Sequence, residues 1–127
     1  MESSGGPERL NQEGFAAFAA QTGEPSPVVM LSLLRFKPEG GRERYGEYGA
    51  AVAPLLEKAG ARVLFAGDPA LVLLGERSWD LVLLVEYPTR QSFLEMIGSE
   101  EYQAIAHLRT EALTAGELHP LDPTSLG

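Results

Sequence analysis

An α+β fold with one antiparallel sheet, helices on one of its faces and a partner on the other follows from three features of the sequence. Two segments, Val28–Phe36 and Trp79–Tyr87, are long apolar runs rich in β-branched residues and leucine. Two others, Arg42–Lys58 and the stretch after Ser99, carry apolar residues at helical spacing. Short turn signals separate them in an order that alternates the two types. With 127 residues, 44% of them hydrophobic, the chain can close a core without staples.

Residues 1–27 read as an N-terminal helical extension and linker. Pro7 to Gln21 places Leu10, Phe15, Phe18 and Ala19 as a short amphipathic helix anchored by its two phenylalanines, and Gly23-Glu24-Pro25-Ser26-Pro27 breaks it. The domain proper is expected over 28–121, with 122–127 as a tail.

Val28–Phe36 is predicted as a strand buried on both faces. Pro38-Glu39-Gly40-Gly41 turns the chain, and Tyr45, Tyr48, Val52, Leu55 and Leu56 share one face of the helix that follows. Pro54 should kink that helix or end its regular part, and Gly60 stands where a helix-terminating glycine belongs. Ala61–Leu74 is the second strand region, interrupted by a bulge or turn at Gly67-Asp68-Pro69. Gly75-Glu76-Arg77-Ser78 then reverses the chain into a third strand, making an antiparallel hairpin.

Thr89 caps a short helix running to Met96-Ile97, and Gly98-Ser99 ends it and caps the next. Tyr102, Ile105, Ala106, Arg109 and Leu113 form the inward stripe of that last helix, and a short strand around Glu117–Leu121 closes the order. The sequence strand, helix, strand, strand, helix, strand is the split βαβ, or ferredoxin-like, arrangement. The first and third strands are apolar at both parities, and helices can cover only one face. A second copy of the sheet is the economical cover for the other, which predicts a homodimer.

Several classes of function are disfavoured. Ten Lys and Arg against 18 Asp and Glu give a net charge of −8, with no basic stripe for nucleic acid. Cysteine is absent, so there is no disulfide framework, thiolate metal site or cysteine nucleophile. The N-terminus has neither the basic start nor the apolar stretch of a secretory signal, and Val28–Leu34, broken by Ser32, is too short to span a bilayer. A cytoplasmic location away from membranes is expected. Gly41 to Gly46 has phosphate-loop spacing, but Glu47 stands where the lysine belongs. His107 reads as solvated on an outward helical face, and His119 lies by the last strand. Neither argues for a metal or a haem, so no cofactor is expected.

The candidate site is a cavity between sheet and helices. Arg109 lies on an otherwise apolar stripe, where an unpartnered cation is costly. It must meet a carboxylate such as Asp80 or Glu86, a backbone carbonyl or an anionic ligand, and a structural ion pair is the commoner outcome. Tyr45, Tyr48 and Tyr102 point to the same interior, either as core residues with satisfied hydroxyls or as groups orienting a carboxylate-bearing or phenolic compound. Ser32 and Arg35 have opposite parity, so one at most faces the cavity. Trp79 either anchors a turn or walls the pocket, and Asp80 either pairs locally or holds an arginine.

The segments Ser32-Leu-Leu-Arg-Phe-Lys37, Tyr45-Gly-Glu-Tyr48, Gly60-Ala-Arg62, Trp79-Asp80, Glu86-Tyr-Pro88, Phe93-Leu-Glu-Met96, Glu101-Tyr102 and Arg109 together resemble an uncharacterised domain family of the dimeric α/β-barrel superfamily. The resemblance covers roughly Val28 to Leu118. It implies a ferredoxin-like subunit paired sheet to sheet. The superfamily includes cofactor-independent monooxygenases, lactone isomerases, haem-dependent enzymes and proteins of unknown role, so the fold alone does not assign a reaction. Two functions stay open: a metal-independent small-molecule-binding protein or enzyme, and a non-catalytic dimeric interaction or regulatory module.

Overall fold

Eight elements follow one another in the structure, a computed structural model that describes residues 8–21 and 25–123. They are α1 (Gln12–Ala20), β1 (Val28–Phe36), α2 (Gly41–Lys58), β2 (Arg62–Gly67), β3 (Leu81–Tyr87), α3 (Arg90–Gly98), α4 (Glu100–Ala112) and β4 (Leu113–Leu121). The strands form one sheet in the order β2-β3-β1-β4, and β1 runs antiparallel to both of its neighbours. This is the expected ferredoxin-like arrangement. The Pro7 start of the first helix, the Gly23-Glu24 breaker and the last four residues of the tail lie outside the described residues.

Strand pleating assigns the faces. Val28, Met30, Leu34 and Phe36 are buried against helices, with Val85 and Tyr87 of β3 beside them. One cluster joins Val28, Met30, Val85 and Tyr87 to Phe18, Phe93 and Met96, and another joins Leu34 and Phe36 to Ala112 and Leu113. The opposite parity, Val29, Leu31 and Leu33 with Val82 and Leu84, is only half-buried. No helix covers it. The first strand is therefore buried on one face of the chain rather than two, because all the helices that pack on the sheet do so from one side.

Local chemistry explains most boundaries. Thr89 caps α3 in a reciprocal pair with Ser92, and Ser99 accepts from the Tyr102 amide to start α4. Gly60 takes φ 77°, the left-handed conformation that ends α2. Pro54 does not end α2, which continues for another turn to Lys58. In α1 the packing anchor is Phe18, set edge-on to Phe93 at 5.8 Å, while Phe15 is 39% exposed.

Three further expectations are corrected. The second strand stops at Gly67, its bulge lies between Val63 and Phe65, and Leu71–Leu74 belong to a long exposed loop. Asp68-Pro69 leaves the ladder because proline has no amide to donate. The third strand starts at Leu81, since Trp79 is still in the loop. The last strand begins at Leu113, not near Glu117: a bulge between Arg35 and Phe36 lets β4 start opposite Phe36. Leu113 is thus a strand residue, buried all the same.

Candidate functional site

The polar interior is built where α2 and α4 pack together over one end of the sheet. One turn of helix separates Tyr45 from Tyr48, whose rings meet at 5.4 Å, and Tyr45 leans on Phe36 of β1 at 5.5 Å. Across from them α4 contributes Tyr102 from its first turn and Arg109 from its last. The hydroxyls of Tyr48 and Tyr102 share a hydrogen bond of 2.9 Å, and the Arg109 guanidinium lies 5.8 Å from the Tyr48 ring centre. These are the four residues that the inward stripes predict, and the fold brings them together.

The partner of Arg109 is Glu8, just ahead of α1. Arg109 donates from Nε to Glu8 Oε1 at 2.9 Å and from Nη2 to Oε2 at 2.7 Å. This parallel fork is the arrangement in which arginine recognises a carboxylate best. Neither Asp80 nor Glu86 fills the role: Asp80 accepts from the Phe36 amide at 2.8 Å, and Glu86 accepts from Arg62 at 2.8 Å. Glu8 reaches Arg109 across β4 at Gly116. A Cβ on Gly116 would lie 2.7 Å from Glu8 Cγ and Oε2, so glycine is what admits the glutamate.

Electrostatics follow from this burial. Burial alone would drive the Arg109 guanidinium towards neutrality; the Glu8 hydrogen bonds and charge, with Tyr45 and Tyr48, outweigh it and raise its pKa further. Burial also raises the phenol pKa values of Tyr45 and Tyr48, against the lowering effect of the Arg109 charge, and burial raises that of Tyr87 too. All three are neutral donors at physiological pH, not bases. Because the folded values are raised, this contribution to stability is intact below the ordinary phenol value of about 10 and lost as pH rises through the folded ones. Absorbance titration at 295 nm should therefore show Tyr45, Tyr48 and Tyr87 ionising above that value and together with unfolding. Ordinary titration of these three tyrosines in the native protein would contradict the packing described.

The remaining sequence candidates fall elsewhere. Ser32 is buried on the helix-facing side of β1, and Arg35 points the other way. Arg35 donates from Nε and Nη2 to the Ser78 carbonyl at 3.1 and 2.7 Å and lies 5.2 Å from the Trp79 ring centre. Trp79 walls a separate hollow of about 350 Å³ that also takes in Arg9, Arg35, Arg77 and residues 115–117. Asp80 splices β3 to β1 and holds no arginine. Arg77 pairs with Glu117 at 2.7 Å, and His119 with the same carboxylate at 2.9 Å. His107 is exposed. Among the described residues, no group of three or more His, Cys, Asp or Glu is placed to hold a metal, and no helix is long and apolar enough to cross a membrane.

Sequence reasoning missed Glu8 and Gly116. The only signal for Glu8 was the demand that Arg109 have an anion. Nothing local ties that demand to a residue 101 positions away.

Comparison with known proteins places this geometry. Residues 40–118 match the model of the domain of unknown function DUF1330. The structure is similar to that of RPA0582, a protein of unknown function from Rhodopseudomonas palustris, with TM-score 0.84 and 33% identity over 91% of this chain and 95% of that one. The methylated form of RPA0582 gives TM-score 0.83 at 33% identity, over 93% and 95%. A dimeric ferredoxin-like protein of unknown function from Jannaschia sp. CCS1 has TM-score 0.63 and 12% identity, over 77% of this chain and all of that one. That last likeness concerns the fold alone. No curated protein matches the sequence.

Proposed function

We propose that this chain, which belongs to the DUF1330 family of domains of unknown function, is a homodimeric small-molecule-binding protein whose ligand enters the tyrosine-lined recess around Arg109. One observation carries the reading. A guanidinium with only 14% of its side chain exposed, flanked by Tyr45, Tyr48 and Tyr102, has its whole anion supplied by a segment outside the matched stretch 40–118. Arg109 and the three tyrosines lie within that stretch, and the carboxylate that pairs with Arg109 does not. Tyr45 and Tyr48 are held neutral and neither histidine lies among them, so the recess is suited to hold and orient a ligand rather than to abstract a proton.

Dimerisation is supported by the uncovered sheet face. Val29, Leu31, Leu33, Val82 and Leu84 form a continuous apolar stripe, edged by Phe65 and Leu121, and a second copy would bury it. Neighbours of the same fold are described as dimeric.

A second reading, a non-catalytic interaction or regulatory module, is favoured by the fact that Glu8 satisfies Arg109 and Tyr48 satisfies Tyr102. Native mass spectrometry of gently purified protein separates the two. The expected result is a two-chain species that carries additional small-molecule mass, lost in Arg109→Gln while the dimer persists. A dimer with no added mass, or mass that survives in Arg109→Gln, would favour the module.

A further inference from the structure

We infer that Glu8 is an internal competitor at the ligand site, and that the ligand is a small carboxylate which binds by displacing it. The inference rests on the reading of the Arg109 recess as a ligand site and adds its ligand class and its regulation.

The fork between Glu8 and Arg109 defines the class. Two parallel N–H···O bonds, at 2.9 and 2.7 Å, are matched to the two oxygens of one carboxylate. A ligand carboxylate can take both without leaving the cation unpaired at the end of the exchange. The aromatic walls, Tyr45 and Tyr48, favour a planar or apolar body behind that group.

The Glu8 side chain is 27% exposed and Arg109 14%, so the glutamate is the partner nearer to solvent. The slot it occupies is formed by the missing side chain of Gly116. Little else described holds the segment there. The buried residue of α1 is Phe18, which packs on Phe93 and lies beneath Arg90, away from the recess. Among the described residues, Glu8 is held by its fork to Arg109, by its neighbour Arg9 along the hollow over residues 115–117, and by the short tether to α1.

A tethered group competes with free ligand at an effective concentration in the millimolar range, so removing its charge should strengthen ligand binding by about 10-fold or more. The exchange needs no chemistry, only the departure of one anion and the arrival of another.

The test is calorimetric titration with benzoate and acetate as probes and benzamide as the uncharged control, on the full chain. Glu8→Gln keeps the shape of the side chain and removes its charge; Gly116→Ala places a methyl 2.7 Å from Glu8 Cγ and Oε2, which forces that side chain to shift, and keeps every charge. Both are expected to bind at least one carboxylate about 10-fold more tightly than wild type, to ignore benzamide, and to lose binding when Arg109→Gln is added. Equal, Arg109-dependent affinity in wild type and both variants would overturn the competitor role and leave the ligand site standing. No binding of either carboxylate by folded Glu8→Gln and Gly116→Ala would overturn both. Should Glu8→Gln fail to fold, Gly116→Ala carries the test alone.

Discussion

Leu31→Asp is expected to leave a folded monomer where the wild type forms the proposed dimer. Leu31 lies in the middle of β1 on the uncovered face, between Leu84 of β3 and His119 of β4. In the isolated chain a carboxylate there meets water, and the helix-facing core is untouched. In the proposed dimer it meets the apolar face of a second sheet, and the substitution occurs twice. Losing the burial of a leucine costs about 1.5–3 kcal/mol at each copy, before any cost of desolvating the charges. Two copies weaken association by about 3–6 kcal/mol, or some 10²- to 10⁴-fold. Sedimentation equilibrium across a concentration series measures this. A variant that dimerises as well as wild type would show that the two copies do not meet through this face.

Leu34→Ala probes the other side of the same strand and should cost the chain its stability rather than its partner. Leu34 is fully buried, paired with Leu81 on one side and Gly116 on the other, and packed with Phe36, Ala112 and Leu113. Truncation in such a site typically costs about 2–5 kcal/mol, because a central strand flanked by rigid neighbours cannot collapse into the gap. That is a large share of the roughly 5–15 kcal/mol a domain possesses. With a urea dependence of about 1–3 kcal/mol per molar, the unfolding midpoint should fall by about 0.7–5 M. A shift of only a few tenths would mean that the helix layer is loosely packed over β1.

The contrast between Leu31 and Leu34 also marks what the sequence disclosed. Alternation, capping and turn residues are local signals, and they placed β1, both main helices, the Thr89 and Ser99 caps and the Gly60 terminus closely. They failed where a local pattern was outweighed by distant geometry. Leu71–Leu74 looks like strand but has no ladder partner, and β4 begins early because a bulge in β1 shifts the pairing. The tyrosine and arginine stripes were legible because helical spacing fixes which side chains share a face. The carboxylate completing that cluster was not, since an ion pair closed by tertiary folding leaves no periodicity. Arg35 and Asp80 were singled out as site candidates, but their partners are a carbonyl in the loop before β3 and an amide at the end of β1.

The strand order has a consequence for how the chain is made. β1 is the first strand synthesised, yet its two neighbours, β3 and β4, start only at Leu81 and Leu113. While β2 waits only for the next strand, β1 must stay unpaired on both edges until most of the chain has emerged. Non-local pairing of this kind is slow to form and exposes the nascent segment to self-association. Val28–Leu34 is uncharged, proline-free and strongly β-forming, the profile of a segment that stacks with copies of itself. Its protection is written into the flanks: Pro27 before it, Arg35 at its end, and Lys37 and Pro38 after it interrupt any register that would extend the stack. The strand that becomes the spine of the finished sheet is, until then, the part of the chain most in need of a gatekeeper.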